Sequence, residues 1–478
     1  MNGSRGTPRV ALIVDHPQRD LAGVVLTAFE LCQRGVTCYL VPLNLQERET
    51  WALAPDFVLL NYARIGNERF ARQLTEARIP FGVLDTEGGV WPEEDTYLNL
   101  FWRDAALLRE LRCACMWGPH LGNLVVERGI LSHGQVTITG CPRFDFYHPT
   151  WRPVWNGTAE LAAPRILVNT NFSMRNPRFA TVEQNVAQAR SYGSSDASIR
   201  SYLDAERQAI DGMIALTQDL ARDYPESEIV VRPHPFENPE IYERRFAGLK
   251  RVSVDNSQPV QPEICRAAVV IQRSCTTGLE AALAGVPTLS PQWVPAPALM
   301  PVAEMVSVPC DSYSELRTEL DAIFSGYYQV SARLRQAVES VTHDWFLSTD
   351  GQAHQRVCDA VMGSVGGGPP VDQERCEQFL YGLNGGGVRS PRDFGQAVRH
   401  WLHIAPDFSF RRMRQIATRN KPGKSLDLDE VRSLIVRMER VRKHDGRSAT
   451  TVTAALARDR NHYIRRFLGE SVVLMGDG

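Results

Sequence analysis

Two short segments hold residue types that suit an anionic ligand. The first is EIVVRPHPFENPE (228–240), in which Arg232, Pro233 and His234 follow a buried apolar run. The prolines have no N–H to extend a strand ladder, so the strand stops and its exit is stiff. A stiff exit holds Arg232 and His234 in fixed directions. A guanidinium offers a planar charged fork and an imidazole a donor that can become cationic, and both suit phosphate oxygens. Glu237 cannot bind an anion, but its carboxylate can accept two sugar hydroxyls, as from a ribose. The plain alternative is a proline-rich turn with an internally satisfied histidine.

The second segment is QRSCTTGLEAALAG (272–285). It reads as a strand end, a turn and a short helix closed by Gly285. Thr277 has the position of an N-cap, with Glu280 at the capping-box spacing. The helix would then start at the carboxyl end of a strand, with backbone N–H groups and the positive end of its dipole available to a phosphate. Ser274, Thr276 and Thr277 add hydroxyls, and Gly278 lets backbone approach a ligand closely. There is no GKS or GKT, so this is not a Walker loop. An ordinary capped helix would look similar. Two such features at the ends of strands in one sheet are more specific than either alone.

Acidic candidates lie earlier in the chain. Glu87, in DTEGG (85–89), stands on an exposed turn after a strand and could act as general base toward an acceptor hydroxyl. Asp15, before His16 and Pro17, ends the first strand. Turn formation at Asp85 and helix capping at Asp15 are the structural alternatives. Asn169 and Asn171, in LVNTNF, could hydrogen-bond a ligand or shape a turn, whereas His120, His133 and His148 read as loop or packing residues. The one DxD, in DLD (427–429), does not follow a strand, and no His, Asp or Glu cluster has metal-ligand spacing. Phosphate neutralisation by Arg, His and a helix end, without a metal, is the expectation. GxGxxG and GxSxG are absent, which argues against a dinucleotide site and a hydrolase elbow.

The elements that must position these residues form two series. RVALIVD (9–15), TCYLVPL (37–43), DFVLLN (56–61), FGVLDT (81–86), CACMWG (113–118) and VTITG (136–140) alternate with helical patterns. After CPRFDFYHPTWRPVWNG (141–157) a second series follows: RILVNT (165–170), EIVVRPH (228–234), RVSVD (251–255), AAVVIQ (267–272), VPTLSP (286–291) and MVSVP (305–309). Continuous apolar strands spaced by helices predict parallel sheets covered on both faces. The expected fold is α/β: two Rossmann-like doubly wound domains facing a cleft, plus a mainly helical appendage. The boundaries read as a disordered N-terminus over 1–8, an acceptor-side domain over 9–148, a linker over 149–163 and a nucleotide-donor domain over 164–362. GSVGGGPP (363–370) and NGGG (384–387) are breaks, and 371–478 is the appendage, with a helix expected over 428–443.

The 478 residues suffice for two sizeable cores, and a net charge of −2 gives no polyelectrolyte signal for nucleic acid. Charge is uneven. Residues 371–478 hold 20 Lys+Arg against 13 Asp+Glu, a net of +7, which leaves −9 for the rest. The ten cysteines are scattered, with no CxxC, which suits a reducing compartment. Neither a signal peptide nor a membrane-spanning run is evident, so a cytoplasmic location is expected.

VVRPHPFENPE, QRSCTTGLEAALAGVPTLSP, VTITGCPRFD (136–145), DTEGG and HDWFLSTDGQAHQRV (343–357) resemble bacterial surface carbohydrate biosynthesis proteins of capsule and lipopolysaccharide assembly. The resemblance covers roughly 9–360 and includes the two-domain design of GT-B glycosyltransferases. The His-Pro step with the Ser/Thr-rich turn resembles the donor site of transferases using CMP-Kdo, CMP-sialic acid or CDP-glycerol. It implies that His234 contacts the donor phosphate, that Ser274, Thr276 and Thr277 surround it, and that Glu87 matches an acidic-Gly turn on the acceptor side. Related proteins often double the acid where this chain reads DTEGG. The implied function is transfer of a sugar from a CMP-activated donor to a surface polysaccharide or lipid-linked glycan. A CDP-glycerol-type polyol-phosphate transferase, a sugar epimerase and a non-catalytic nucleotide-sugar scaffold are the alternatives. The basic tail suits peripheral contact with anionic lipid, or a partner-docking module.

Overall fold

The computed structural model describes residues 7–88, 91, 93–155, 163–191, 193–366, 368–380, 425–444, 446, 450–457 and 470–476. The chain forms two compact units: residues 1–89, 93–154 and 344–478 make the first, and 90–92 with 155–343 the second. Both expected sets of six strands are present. The first unit contains β1 (Arg9–Val14), β2 (Thr37–Pro42), β3 (Phe57–Leu60), β4 (Phe81–Leu84), β5 (Leu111–Met116) and β6 (Val136–Ile138), all parallel, in the order β2-β1-β3-β4-β5-β6. The second contains β7 (Arg165–Asn169), β8 (Glu228–Arg232), β9 (Val252–Val254), β10 (Val269–Ile271), β11 (Thr288–Pro291) and β12 (Val308–Cys310), also parallel, in the order β9-β8-β7-β10-β11-β12. Counted within each unit, the first order is the flavodoxin-like one and the second the dinucleotide-fold one. All six residues of β1 are buried, as a strand covered on both faces requires.

The strand order fixes where chain leaves each sheet. It reverses between β1 and β3 in the first unit and between β7 and β10 in the second. At such switch points the following loops diverge and open a crevice at the carboxyl edge. The second unit's core lies under one face of its sheet, where Ile166, Val168, Ile229, Val231, Val269 and Ile271 meet the helix Asp196–Asp223. Neighbouring residues Asn169 and Arg232, in register across β7 and β8, belong to the other face.

Two features differ from the sequence expectation. The expected domain end at 362 falls inside the helix Ala353–Ser364, which belongs to the first unit; the chain re-enters that unit at Asp344. Asp145 is the anchor. Its carboxylate accepts the backbone N–H groups of Ala353 (3.0 Å) and His354 (2.8 Å) and contacts His354 Nδ1 at 2.8 Å. Trp151 Nε1 donates to Gly351 O, and Arg356 Nε donates to Thr139 O. Gly118 is required at this junction, because a Cβ there would lie 2.3 Å from the Trp345 carbonyl carbon.

The second difference is the tail, expected to be mainly helical. Its described part holds the expected helix, Leu428–His444, but also β13 (Val452–Leu456) and β14 (Val472–Gly476), an antiparallel pair. β14 adds to β2, extending the first sheet to eight strands. The helix Leu428–His444 packs on the helix Pro17–Gln33, where Arg442 Nη1 donates to Glu30 Oε2 at 2.9 Å. An outer helix and an added edge strand explain why Pro17–Gln33 is buried on nearly all sides. The expected disordered stretch (residues 1–6 of it), residues 156–162 of the linker and the NGGG break lie outside the described residues. Among the described residues no helix is long and apolar enough to cross a membrane.

Asp145→Ala would leave a buried imidazole and two helix-start N–H groups without their acceptor. The expected loss is about 3 kcal/mol of unfolding free energy. Urea unfolding followed by tryptophan fluorescence measures it, since the Trp151 ring lies 5.2 Å from that of His354. A loss below about 1 kcal/mol, the scale of an exposed pair, would remove Asp145 as the anchor.

Candidate functional site

In the second unit, β8 ends at Arg232 and the chain turns through Pro233, His234, Pro235 and Phe236. Glu237 builds this turn from below. It is 0 % exposed. Its Oε2 accepts Thr170 Oγ1–H at 2.8 Å and the His234 N–H at 3.0 Å, and its Oε1 accepts the Tyr242 hydroxyl at 2.7 Å. Burial pushes its carboxyl pKa up, against the pull of the Tyr242 and Thr170 hydroxyls. Glu237 therefore supports the turn: its oxygens accept from protein donors and it has no exposed surface. Arg232 is 7 % exposed, with Nη2 donating to Gln258 O at 2.5 Å. It too braces the strand end.

His234 is half-buried, and its Nδ1 accepts the Phe236 N–H at 3.2 Å. In the neutral ring the proton then sits on Nε2, which becomes a donor of fixed direction. From the second turn the structure keeps Thr276 exposed and Thr277 half-buried, at the start of the helix Thr276–Leu283. The N-cap is Cys275, with extended φ and ψ of −120° and 142°, so the expected Thr277–Glu280 capping box is not formed. The cap moves because Gln272 Oε1 holds the Cys275 N–H at 2.7 Å and ends the strand exit there.

Ser274 and Gly278 serve the interior. Ser274 is 5 % exposed with φ 56°, a left-handed conformation that costs a non-glycine residue about 1–2 kcal/mol. It is held by hydrogen bonds: its N–H donates to Glu304 Oε1 at 2.8 Å, its Oγ–H to Ala298 O at 3.0 Å, and Oγ accepts the Met300 N–H. The expected ligand hydroxyl is thus a loop fastener. A Cβ on Gly278 would stand 2.8 Å from Gln272 Cδ, so the glycine makes room for that side chain. Glu304, which the sequence did not single out, organises the loop through Arg273, Ser274, Ser290 and Gln292.

β8, β7 and β10 are consecutive neighbours, so the His234 and Thr276 turns leave strand ends about 10 Å apart on one carboxyl edge. Between them, Asn169 is 3 % exposed, and its amide oxygen and nitrogen have no hydrogen-bond partner among the described residues. A buried amide of this kind is completed by a ligand atom or an ordered water. Asn171 is exposed two residues further on.

The first unit carries a charged rim at the ends of β1 and β4. Glu87 is gripped from two sides: Arg19 Nη1 donates to Oε1 at 2.8 Å and Arg64 Nη1 to Oε2 at 2.7 Å. Arg19 also bonds Asp20 (2.9 Å) and Asp15 (3.2 Å), and Arg64 bonds Asp85 (2.8 Å). Burial works to raise the Glu87 pKa, but the Arg19 and Arg64 charges outweigh it and hold the carboxyl below its ordinary value. That makes Glu87 a weaker base than the sequence reading expected. Asp85 is the opposite case: burial pushes it up to about 6 despite Arg64. Arg19 and Arg64 were missed from sequence, although Arg19 lies one helical turn beyond Asp15 and Arg64 just beyond β3. Among the described residues, no group of three His, Cys, Asp or Glu could hold a metal ion.

No family model matches the chain, and no curated protein matches it. Among solved structures it is similar to the UDP-GlcNAc 2-epimerase of Neisseria meningitidis bound to UDP-GlcNAc (12 % identity, 74 % of this chain, 100 % of that one, TM-score 0.45). The wall teichoic acid polymerase TagF matches at 8 % identity over 75 % of this chain and 90 % of that one, TM-score 0.47. A glycosyltransferase of Rickettsia africae ESF-5 matches at 10 % identity over 75 % and 99 %, TM-score 0.40. These scores are low, and the fold assignment rests on the strand order within each unit.

Two measurements check the site's construction. Glu237→Ala strands two buried hydroxyls and an amide, and should cost about 3 kcal/mol in chemical unfolding; an unchanged midpoint would return Glu237 to the ligand role. Asp85 has a folded pKa of about 6 against 3.8 for a free carboxyl. Its charged form is the disfavoured one in the fold, so its contribution to stability is greatest below about pH 4 and declines as pH rises through about 6. Urea unfolding of wild type and Asp85→Asn should show wild type losing ground to the variant across that window and levelling above it. A difference that grows in favour of wild type with rising pH would refute the assignment.

Proposed function

We propose that the protein is a glycosyltransferase that moves a sugar from a nucleotide donor, CMP-activated, to a hydroxyl of a surface polysaccharide or lipid-linked glycan. The observation that carries this reading is the His234 imidazole. Its Nδ1 accepts the Phe236 N–H, which puts the proton of the neutral ring on Nε2, in the turn that follows the carboxyl end of β8 in a sheet with the dinucleotide-fold strand order. When the bond from sugar to phosphate breaks, negative charge collects on the departing phosphate oxygens. A donor held in place beforehand stabilises that charge more than it stabilises the bound donor. Thr276, exposed at the start of its helix, supplies a hydroxyl and helix-end N–H groups to the same anion.

On the acceptor side the reading keeps Glu87 and Asp15. The arginines hold the Glu87 carboxylate ionised, so it orients the attacking hydroxyl through an accepted hydrogen bond more than it drives proton removal. Asp15 holds Arg19 in that network and supports Glu87 indirectly.

A thermal-shift screen across CMP, CDP, UDP, GDP and ADP tests the donor. CMP or CDP should stabilise selectively, and His234→Ala should weaken that binding by about 10-fold or more, the worth of a hydrogen bond to a charged group. Selective stabilisation by UDP or GDP discards the cytidine donor, and no response to any nucleotide discards the reading. Both transfers release CMP, so product analysis separates them by the linkage formed: glycosyl transfer leaves a glycosidic bond, and polyol-phosphate transfer leaves a phosphodiester in the product.

A further inference from the structure

Beside His234 the second unit displays two aromatic rings to solvent. Phe236 is 47 % exposed and Phe179 46 % exposed. Their centroids lie 6.2 Å apart with planes at 85°, an edge-to-face pair. The His234 ring lies 5.5 Å from Phe236, and the Arg178 guanidinium sits 5.2 Å from the centre of the Phe179 ring. Exposed large apolar side chains in a cluster need an explanation that scattered ones do not.

The pair is held in place from below. The segment after β7 and the turn after β8 are clipped to each other: the Arg178 N–H donates to Phe236 O at 2.8 Å, the Asn238 N–H to Asn176 O at 3.0 Å, and Asn176 Nδ2 to Asn238 O at 2.8 Å. Pro177 and Glu237 form an antiparallel bridge, and Glu237 is tied into the core through Thr170 and Tyr242. The rings therefore stand on a braced two-segment ledge at the carboxyl ends of β7 and β8. A platform fixed before binding loses little freedom when a ligand arrives.

We infer that Phe236 and Phe179 form a stacking platform for the nucleobase of the donor. The inference rests on the nucleotide reading above. The chemistry that would fill the ledge is a flat ring joined to an anion: the ring lies on the phenyl face, and the anion, one ribose away, meets His234 Nε2–H. Arg178, beside the same rings, adds a cation that suits both the π face and the phosphates. Every base has a π face, so the platform contributes affinity but does not choose the base. The choice of cytidine belongs to other groups.

The test is isothermal titration of the full chain with CMP, UDP and ribose 5-phosphate. In wild type both nucleotides should bind more tightly than ribose 5-phosphate. Phe236→Ala should weaken CMP and UDP alike by about 10-fold, the scale of one base–aromatic stack, and leave ribose 5-phosphate unchanged. Phe236→Trp should restore nucleotide affinity, which separates lost stacking from a disturbed turn. Phe179→Ala should give a smaller loss of the same pattern. If wild type binds nucleotides and Phe236→Ala binds them equally well, the platform is refuted while the nucleotide reading stands. An equal loss for ribose 5-phosphate would likewise refute it, because the turn and not the stack would be at fault. If wild type binds no nucleotide, both fall together.

Discussion

One buried carboxylate fixes where the chain returns to the first unit. Asp145 receives the first two N–H groups of the helix Ala353–Ser364 and contacts its own histidine, all within 3.0 Å. A helix start has N–H groups that must find acceptors, and a buried charge must find donors. Each requirement is met by the other, across 208 residues of sequence. With that helix fixed, the helix Pro17–Gln33 is covered, and the later helix and strand pair have a surface to build on. The motifs 136–145 and 343–357 thus meet in one joint through Asp145, Thr139, His354 and Arg356.

The second unit uses acids in a similar way. Glu237 and Glu304 are the organisers of the two turns at its carboxyl edge, each accepting from several donors at once. A carboxylate offers about four lone-pair positions, so one residue can fasten several segments. What each turn then presents is small: the His234 imidazole and the Phe236 ring in the first, and one or two threonine hydroxyls with a helix start in the second. Rigidity below and few groups above is the arrangement expected where a ligand's charge must be met by donors that do not reorganise.

The first unit's rim works by mutual neutralisation. Arg19 and Arg64 bridge Glu87 to Asp15, Asp20 and Asp85, so two carboxylates two residues apart have opposite tendencies: Glu87 is held ionised and Asp85 is pushed toward its neutral form. The split follows from the balance of burial against the arginines, which grip both oxygens of Glu87 and only one of Asp85. Asp85 is 4 % exposed and pays the desolvation penalty, whereas the Glu87 side chain keeps water on one side.

The residues alone determined the twelve parallel strands, their grouping into two α/β units and the edge on which the candidate residues lie. Those properties come from local pattern: apolar runs of strand length, helices between them, and prolines or glycines where strands stop. They also marked His234 and Thr276, because a strand end forces the next few residues to that edge. Tertiary structure decided the rest. Glu237, Ser274 and Gly278 look like ligand groups in sequence but face protein partners, and a side chain's direction depends on neighbours that spacing does not reveal. The same holds for the return of 344–364 to the first unit and for β13 and β14. β14 is specified by the β2 backbone it pairs with, and that partner lies more than 400 residues away in the chain.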